Sequence, residues 1–230
     1  MLRDCTIVLL PGLDGSSELS RRFLDVKPAG SDVMALALPH EPFDSYAELA
    51  ERLLPSLPSG PALLIGNSFS GPLALRLANL VPAAGLVLCT TFVTAPVPRV
   101  FARPLSLLAG VSPSALGASI LLTDGDIELA EDLALAVARV PRHVVASRIR
   151  LVMNADATGD LASCTCPLLY LRATNDLLIS ERQLALIREI RPDVESRDLD
   201  AGHLVLQALP RSAWAHIDDF KARATARSVA

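Results

Sequence analysis

Three short stretches of the chain carry residue types that do chemistry together. Residues 63–75 read LLIGNSFSGPLAL, an apolar run that meets two serines, Ser68 and Ser70, just before a helical pattern. Asp176 closes Arg172-Ala-Thr-Asn-Asp176 after a second apolar run, and His203 lies in Asp200-Ala-Gly-His-Leu after a third. A serine hydroxyl is a weak nucleophile at neutral pH. It needs a base to take its proton and hydrogen-bond donors to hold the oxyanion that forms. Ser, Asp and His in that chain order, each at the end of a strand-like run, meet the first need. His203 would accept the Ser68 proton, and Asp176 would hold the imidazole in the right tautomer and stabilise its cation.

Spacing chooses between the serines. A nucleophile at the tip of a sharp strand-to-helix turn requires small residues two before and two after it, because strand and helix pass close by. Around Ser68 these are Gly66 and Ser70, with Gly71 next; around Ser70 they are Ser68 and Pro72. Ser68 is therefore the candidate nucleophile, and Ser70 fills a small-residue position. Standing alone, such a Ser-rich turn is more often an ordinary helix cap. The oxyanion donors should be backbone N–H groups: that of Phe69, next to the nucleophile, and one from Leu10-Pro-Gly-Leu-Asp-Gly15, where Leu13 is the best candidate.

The elements that must position these groups follow from hydrophobic pattern. Thr6–Leu10, Val33–Leu38, Ala62–Ile65, Leu86–Cys89 and Leu168–Leu171 are apolar runs bounded by Gly and Pro, which suit strands buried on both faces of a parallel sheet. Val194–Leu199 is more polar and fits a sheet edge. Helical patterns alternate with them. Ser45–Glu48 and Ser180–Gln183 have the spacing of capping boxes, and Pro210 should open a last helix bearing Trp214, Ile217 and Phe220. Strands alternating with helices predict a doubly wound α/β sheet. Residues 91–163 break the alternation with Ala-rich helical segments such as Asp126–Val140 and His143–Asn154, long enough to form a small helical cap or extra helices packed on the sheet.

The chain has 230 residues, 51% of them hydrophobic, which suits one domain with one large core. Its 21 basic and 25 acidic residues give a net charge of -4 without a basic stripe, which argues against nucleic acid as a partner. Cys5 and Cys89 fall in or beside apolar runs, and Cys164-Thr-Cys166 has the wrong spacing for a CxxC redox or zinc motif. Structural thiols in a reducing compartment are expected. His143 and His216 show no ligand spacing, so neither a metal nor a cofactor is expected. No apolar run reaches the roughly 18 residues of a membrane span. The opening MLRDCTIVLLPGLDG has Asp4 in its basic flank, no small-x-small cleavage site and an early Pro-Gly. A first strand explains it better than a signal peptide, and a cytoplasmic protein is the expectation.

These motifs resemble the α/β-hydrolase superfamily along most of the chain. Gly66-Asn-Ser68-Phe-Ser-Gly71 is similar to the family's elbow, usually Gly-His-Ser-Met-Gly-Gly. Pro11-Gly-Leu-Asp-Gly-Ser16 resembles its His-Gly oxyanion loop, with Pro in place of His, and so without a side chain that often braces that loop. Arg172–Asp176 resembles the Gly-x-x-Asp acid loop, with Ala173 for Gly, and Ala201–Leu204 the Gly-His segment. The chain opens at what corresponds to the family's third strand. The resemblance therefore implies an α/β-hydrolase fold of about six parallel strands, helices on both faces, and a small helical cap inserted at about 91–163.

It also implies a serine carboxylesterase without cofactor, similar to the small capped pimeloyl-carrier-protein methyl ester esterases. The pocket between sheet and cap would be lined by apolar residues such as Phe92, Phe101, Leu105 and Leu108, favouring an ester or thioester of an apolar acyl group. Arg99, Arg103, Arg139, Arg142, Arg148 and Arg150 in the cap form either a docking patch for an acidic acyl-carrier protein or a solvated face. An acyltransferase using the same Ser68, Asp176 and His203, and a small-molecule-binding module without turnover, remain open readings.

Overall fold

The structure is a computed structural model that describes residues 5–96, 120 and 122–227. Its strands are β1 Thr6–Leu10, β2 Val33–Ala35, β3 Ala62–Asn67, β4 Ala83–Cys89, β5 Leu168–Ala173 and β6 Glu195–Leu199. They form a single six-stranded sheet in the order β2-β1-β3-β4-β5-β6, with every neighbouring pair parallel. The six parallel strands read from the sequence are thus present, differing only at their ends.

Alternation of side chains explains how apolar runs build two cores. Along β1, Val8 and Leu10 join one buried cluster while Ile7 and Leu9 join the other, and β4 divides the same way, with Leu86 and Leu88 against Val87 and Cys89. The first cluster is covered by α2 (Tyr46–Leu53) and α3 (Gly71–Ala78), through residues such as Leu49 and Leu73. The second is covered by α1 (Arg21–Asp25) and the last helix, Pro210–Arg227, through Phe23, Trp214, Ile217 and Phe220. Phe23 and Trp214 stack at 4.3 Å, and Trp214 Nε1 donates to the Phe23 carbonyl at 2.7 Å. A buried Trp thus keeps its N–H satisfied.

The edges differ from the interior. On β6 most residues are half-exposed, and Asp198 lies directly opposite Arg172 of β5, whose Nε and Nη2 donate to it at 2.8 and 2.7 Å. β2 is shorter than the Val33–Leu38 run. The Leu36 N–H still donates to the Leu9 carbonyl of β1 at 3.0 Å, but beyond it the chain turns away and the Leu38 N–H donates to the Gly15 carbonyl at 2.8 Å. That bond ties the segment to the loop after β1.

Between β4 and β5 the described helices are α4 Ile127–Ala138, α5 Arg142–Met153 and α6 Thr158–Ser163. Asp126 caps α4, its Oδ1 accepting from the Leu129 N–H at 3.0 Å. Phe101, Leu105, Leu108, Arg99 and Arg103 lie outside the described residues. The second capping box did not form. After α7 (Glu181–Ile190) begins, Gln183 turns inward, accepts from Val93 and Thr94 N–H at 3.0 and 3.3 Å, and donates to the Thr94 carbonyl at 3.1 Å. Buried backbone groups of the insert need a partner more than the exposed end of α7 does. Among the described residues no helix is long and apolar enough to cross a membrane.

The sheet order places the site. From β1 the chain moves outward to β2, then returns across β1 to β3 and continues through β4, β5 and β6. The reversal falls between β1 and β3, and the crevice at the carboxyl ends of such strands is where open α/β sheets bind ligands.

Candidate active site

β3 ends at Asn67, Ser68–Ser70 make one tight 3₁₀ turn, and α3 begins at Gly71. Ser68 has φ 50°, the left-handed region, which costs a side-chain-bearing residue about 1–3 kcal/mol unless its surroundings impose it. Three hydroxyls hold the turn. Thr91 Oγ1 donates to the Ser68 carbonyl, Tyr46 Oη donates to the Phe69 carbonyl at 2.9 Å, and Ser70 Oγ donates to the Pro11 carbonyl at 2.5 Å. The small residues are required by close approach. A Cβ on Gly66 would lie 2.6 Å from Ala74 Cβ and 2.8 Å from the Ser70 carbonyl oxygen, and one on Gly71 would run into the Thr91 side chain.

Ser68 Oγ lies 2.7 Å from His203 Nε2, and His203 Nδ1 lies 2.8 Å from Asp176 Oδ2. The other Asp176 oxygen accepts from the Leu178 and Ile179 N–H groups at 2.8 and 3.0 Å. The His203 and Asp176 side chains are only 4% and 3% exposed, so this carboxylate is held away from solvent. Burial alone would raise the Asp176 carboxyl, but the charge and hydrogen bond of His203, with the two amides, outweigh it and hold the pKa below the usual carboxylate range. The loops that bring the two residues together run side by side beyond their strands: the Thr174 N–H donates to the Leu199 carbonyl at 2.9 Å and the Asn175 N–H to the Ala201 carbonyl at 3.0 Å. Ser70 is buried with its hydroxyl turned to Pro11, so of the two serines Ser68 is the one that touches the imidazole.

Leu13, Phe69, Ser68 and His203 line one pocket, together with Phe92. Most of its remaining wall is aliphatic: Leu19, Leu122, Leu133, Val137, Val152, Leu178, Ile179 and Leu204. Reading the sequence missed these. Leu133 and Val137 share a face of α4, and Leu178 and Ile179 follow Asp176, so helical spacing and adjacency to the acid were the available signals. Asp14 also borders the pocket. Its Oδ2 accepts from the Ser16 N–H and hydroxyl at 2.9 and 2.7 Å. Burial pushes the Asp14 carboxyl up, with Ser16 and Arg148 pulling it back.

The insert's described arginines differ in their surroundings. Arg148 is buried, its guanidinium turned to main-chain carbonyls; Arg139 pairs with Glu18; Arg142 and Arg150 are exposed. The four cysteines are buried and unbridged, with Cys164 and Cys166 Sγ atoms 3.4 Å apart. Among the described residues no group of three or more His, Cys, Asp or Glu side chains is placed to hold a metal ion.

No curated protein matches the chain. Solved structures share its fold at low identity. A hydrolase from Oleispira antarctica superposes with a TM-score of 0.83 at 16% identity, over 95% of this chain and 91% of that one. The enol-lactonase from Burkholderia xenovorans LB400 gives 0.80 at 16% identity, over 94% and 90%. A thermophilic esterase from Thermogutta terrifontis gives 0.79 at 18%, over 96% and 90%. Residues 4–216 match the model of the alpha/beta hydrolase family, a span that takes in every strand, the elbow, the acid loop and the histidine. With this match over nearly the whole chain, the protein belongs to the alpha/beta hydrolase family.

Proposed function

We propose that the protein is a serine hydrolase that cleaves carboxylic esters or thioesters of apolar acyl groups through an acyl-enzyme. The observation that carries this reading is the continuous relay from Ser68 Oγ through His203 to Asp176, at 2.7 and 2.8 Å, in a mostly aliphatic pocket. In the proposed reaction Ser68 Oγ attacks the carbonyl carbon while its proton passes to His203 Nε2. The oxyanion is held by the N–H groups of Leu13 and Phe69. Collapse expels the alcohol or thiol, which takes the proton from His203. Water then attacks the acyl-enzyme, with His203 as base, and releases the acid. Asp176 fixes the imidazole tautomer and stabilises its cation throughout.

Family membership and the hydrolase, enol-lactonase and esterase among its fold neighbours support hydrolysis in general. The aliphatic wall supports an acyl group without charge. Of the described arginines of the insert, Arg142 and Arg150 are exposed for a carrier protein to meet, whereas Arg148 is not. A series of p-nitrophenyl esters and acyl thioesters from acetyl to dodecanoyl tests the reading. Turnover with one chain-length optimum, free acid as product and no turnover in Ser68→Ala is expected. No turnover by folded wild-type protein would overturn it, and acyl transfer to an added alcohol or amine in excess of hydrolysis would make the protein an acyltransferase.

A further inference from the structure

Helix α5 carries a buried cation that the reaction above does not use. Arg148 is 4% exposed. Its Nη1 donates to the Leu13 carbonyl at 2.7 Å and its Nη2 to the Pro39 carbonyl at 3.1 Å. These carbonyls belong to the loop after β1 and the segment after β2, which the Leu38 N–H to Gly15 carbonyl bond already joins. The loop is shaped to receive the guanidinium. Gly15 has φ 70°, and a Cβ there would lie 2.6 Å from Arg148 Nη2 and 2.7 Å from Cζ. Helix α5 is itself anchored at the preceding residue: Ser147 Oγ accepts from the Phe43 N–H at 3.0 Å and donates to the Phe43 carbonyl at 2.7 Å.

A leucine or methionine would fill this space without the cost of desolvating a charge. That cost is visible in the side chain: burial lowers the Arg148 pKa to about 10, and nearby Asp14 raises it only in part. What the guanidinium does that an apolar side chain does not is hold two carbonyls at once. Together with Ser70 it brackets the oxyanion loop. Ser70 fixes the carbonyl of Pro11 and Arg148 fixes that of Leu13. Peptide units are planar, so these contacts fix the planes on either side of the Gly12–Leu13 peptide. That middle plane carries the Leu13 N–H.

We propose that Arg148 is a positioning residue for the oxyanion hole, acting through the Leu13 carbonyl to keep the Leu13 N–H aimed at the reacting carbonyl oxygen. This rests on the hydrolase reading, with Leu13 as a donor. It makes the insert between β4 and β5 part of the catalytic apparatus, because the brace of the loop comes from α5.

The test compares wild type, Arg148→Met and Arg148→Lys. With a p-nitrophenyl ester, Arg148→Met should lower kcat roughly 10- to 100-fold while KM stays within about threefold, the signature of an interaction made in the transition state. Affinity for a phenylboronic acid, which mimics the tetrahedral oxyanion, should fall in parallel. Arg148→Lys should recover part of both losses. Amide hydrogen exchange supplies a readout independent of turnover. Peptides covering 11–16 should exchange faster in Arg148→Met, while those covering β3 and α3 stay protected. Unchanged kcat, a loss confined to KM, or unchanged exchange at 11–16 would each overturn the proposal. If Arg148→Met does not fold, the same comparisons on Arg148→Lys decide it, with kcat and loop exchange equal to wild type as the refuting result. If wild type hydrolyses no ester or thioester the hydrolase reading falls, and with it the proposed role, whereas exchange at 11–16 still reports whether the brace itself exists.

Discussion

At the scale of the residue, Ser68 and His203 share a 2.7 Å contact, and in the proposed hydrolysis neither has a use without the other. Ser68→Ala and His203→Ala should therefore each lower kcat/KM by about 10⁴- to 10⁶-fold, and the double variant should lose little more than either alone. Additive losses, measured on the best ester, would mean that the two residues act separately. Ser68, Asp176 and His203 were legible in the sequence because chain order and strand ends restrict where such residues fall on a parallel sheet. Ser70 and Arg148 were legible only as types. Ser70 reads as a small residue, yet its hydroxyl braces the Pro11 carbonyl in a loop that lacks the side chain usual at that position. Arg148 reads as one of several surface cations, because nothing in the spacing of Arg142, Arg148 and Arg150 says which of them meets a glycine with no Cβ in the way.

At the scale of the element, the elbow is a contest between strand, turn and helix for the same space. Gly71 gives way to Thr91, whose hydroxyl in turn holds the Ser68 carbonyl. Gly71→Ala should lower the unfolding free energy by about 1–3 kcal/mol through overpacking. Thr91→Ala alone should cost about 1 kcal/mol for the lost hydrogen bond. The double variant should be more stable than the sum of the two losses by at least about 0.5 kcal/mol, because Thr91→Ala removes two of the three atoms that collide. Urea denaturation of the four proteins measures the coupling, and simple additivity would contradict this account of the turn. The Ser180–Gln183 spacing shows the limit of local pattern. The same four residue types cap a helix or brace a neighbouring segment, and the choice was made by unpaired backbone groups at Val93 and Thr94, far away in sequence. The chain left β2 after Leu36 for a similar reason, since the Leu38 N–H found the Gly15 carbonyl in the loop after β1.

At the scale of the whole molecule, the six parallel strands were readable because buried parallel strands are continuous apolar runs, and β6 was readable as an edge because its run is more polar. The aliphatic pocket wall was not, since it is assembled from α4, α5 and the separate segments around Leu19, Leu122, Leu178 and Leu204, which meet only after folding. The same assembly links the site to global stability. The folded Asp176 carboxyl has a pKa below its unfolded value of about 3.9, so it contributes stability that is present above that pH and lost as the pH falls through its lower folded pKa. The stability gap between wild type and Asp176→Asn should therefore be widest near neutrality and close below about pH 4. A gap that widens on acidification, in denaturant titrations across pH, would reverse the assigned sign.

On the proposed function Ser68 is an activated nucleophile, and covalent labelling reports that without a substrate. Intact-mass spectrometry after exposure to a fluorophosphonate should show a single adduct on wild type and on Ser70→Ala, and none on Ser68→Ala. An adduct that survives in Ser68→Ala, or no adduct on folded wild-type protein, would contradict it.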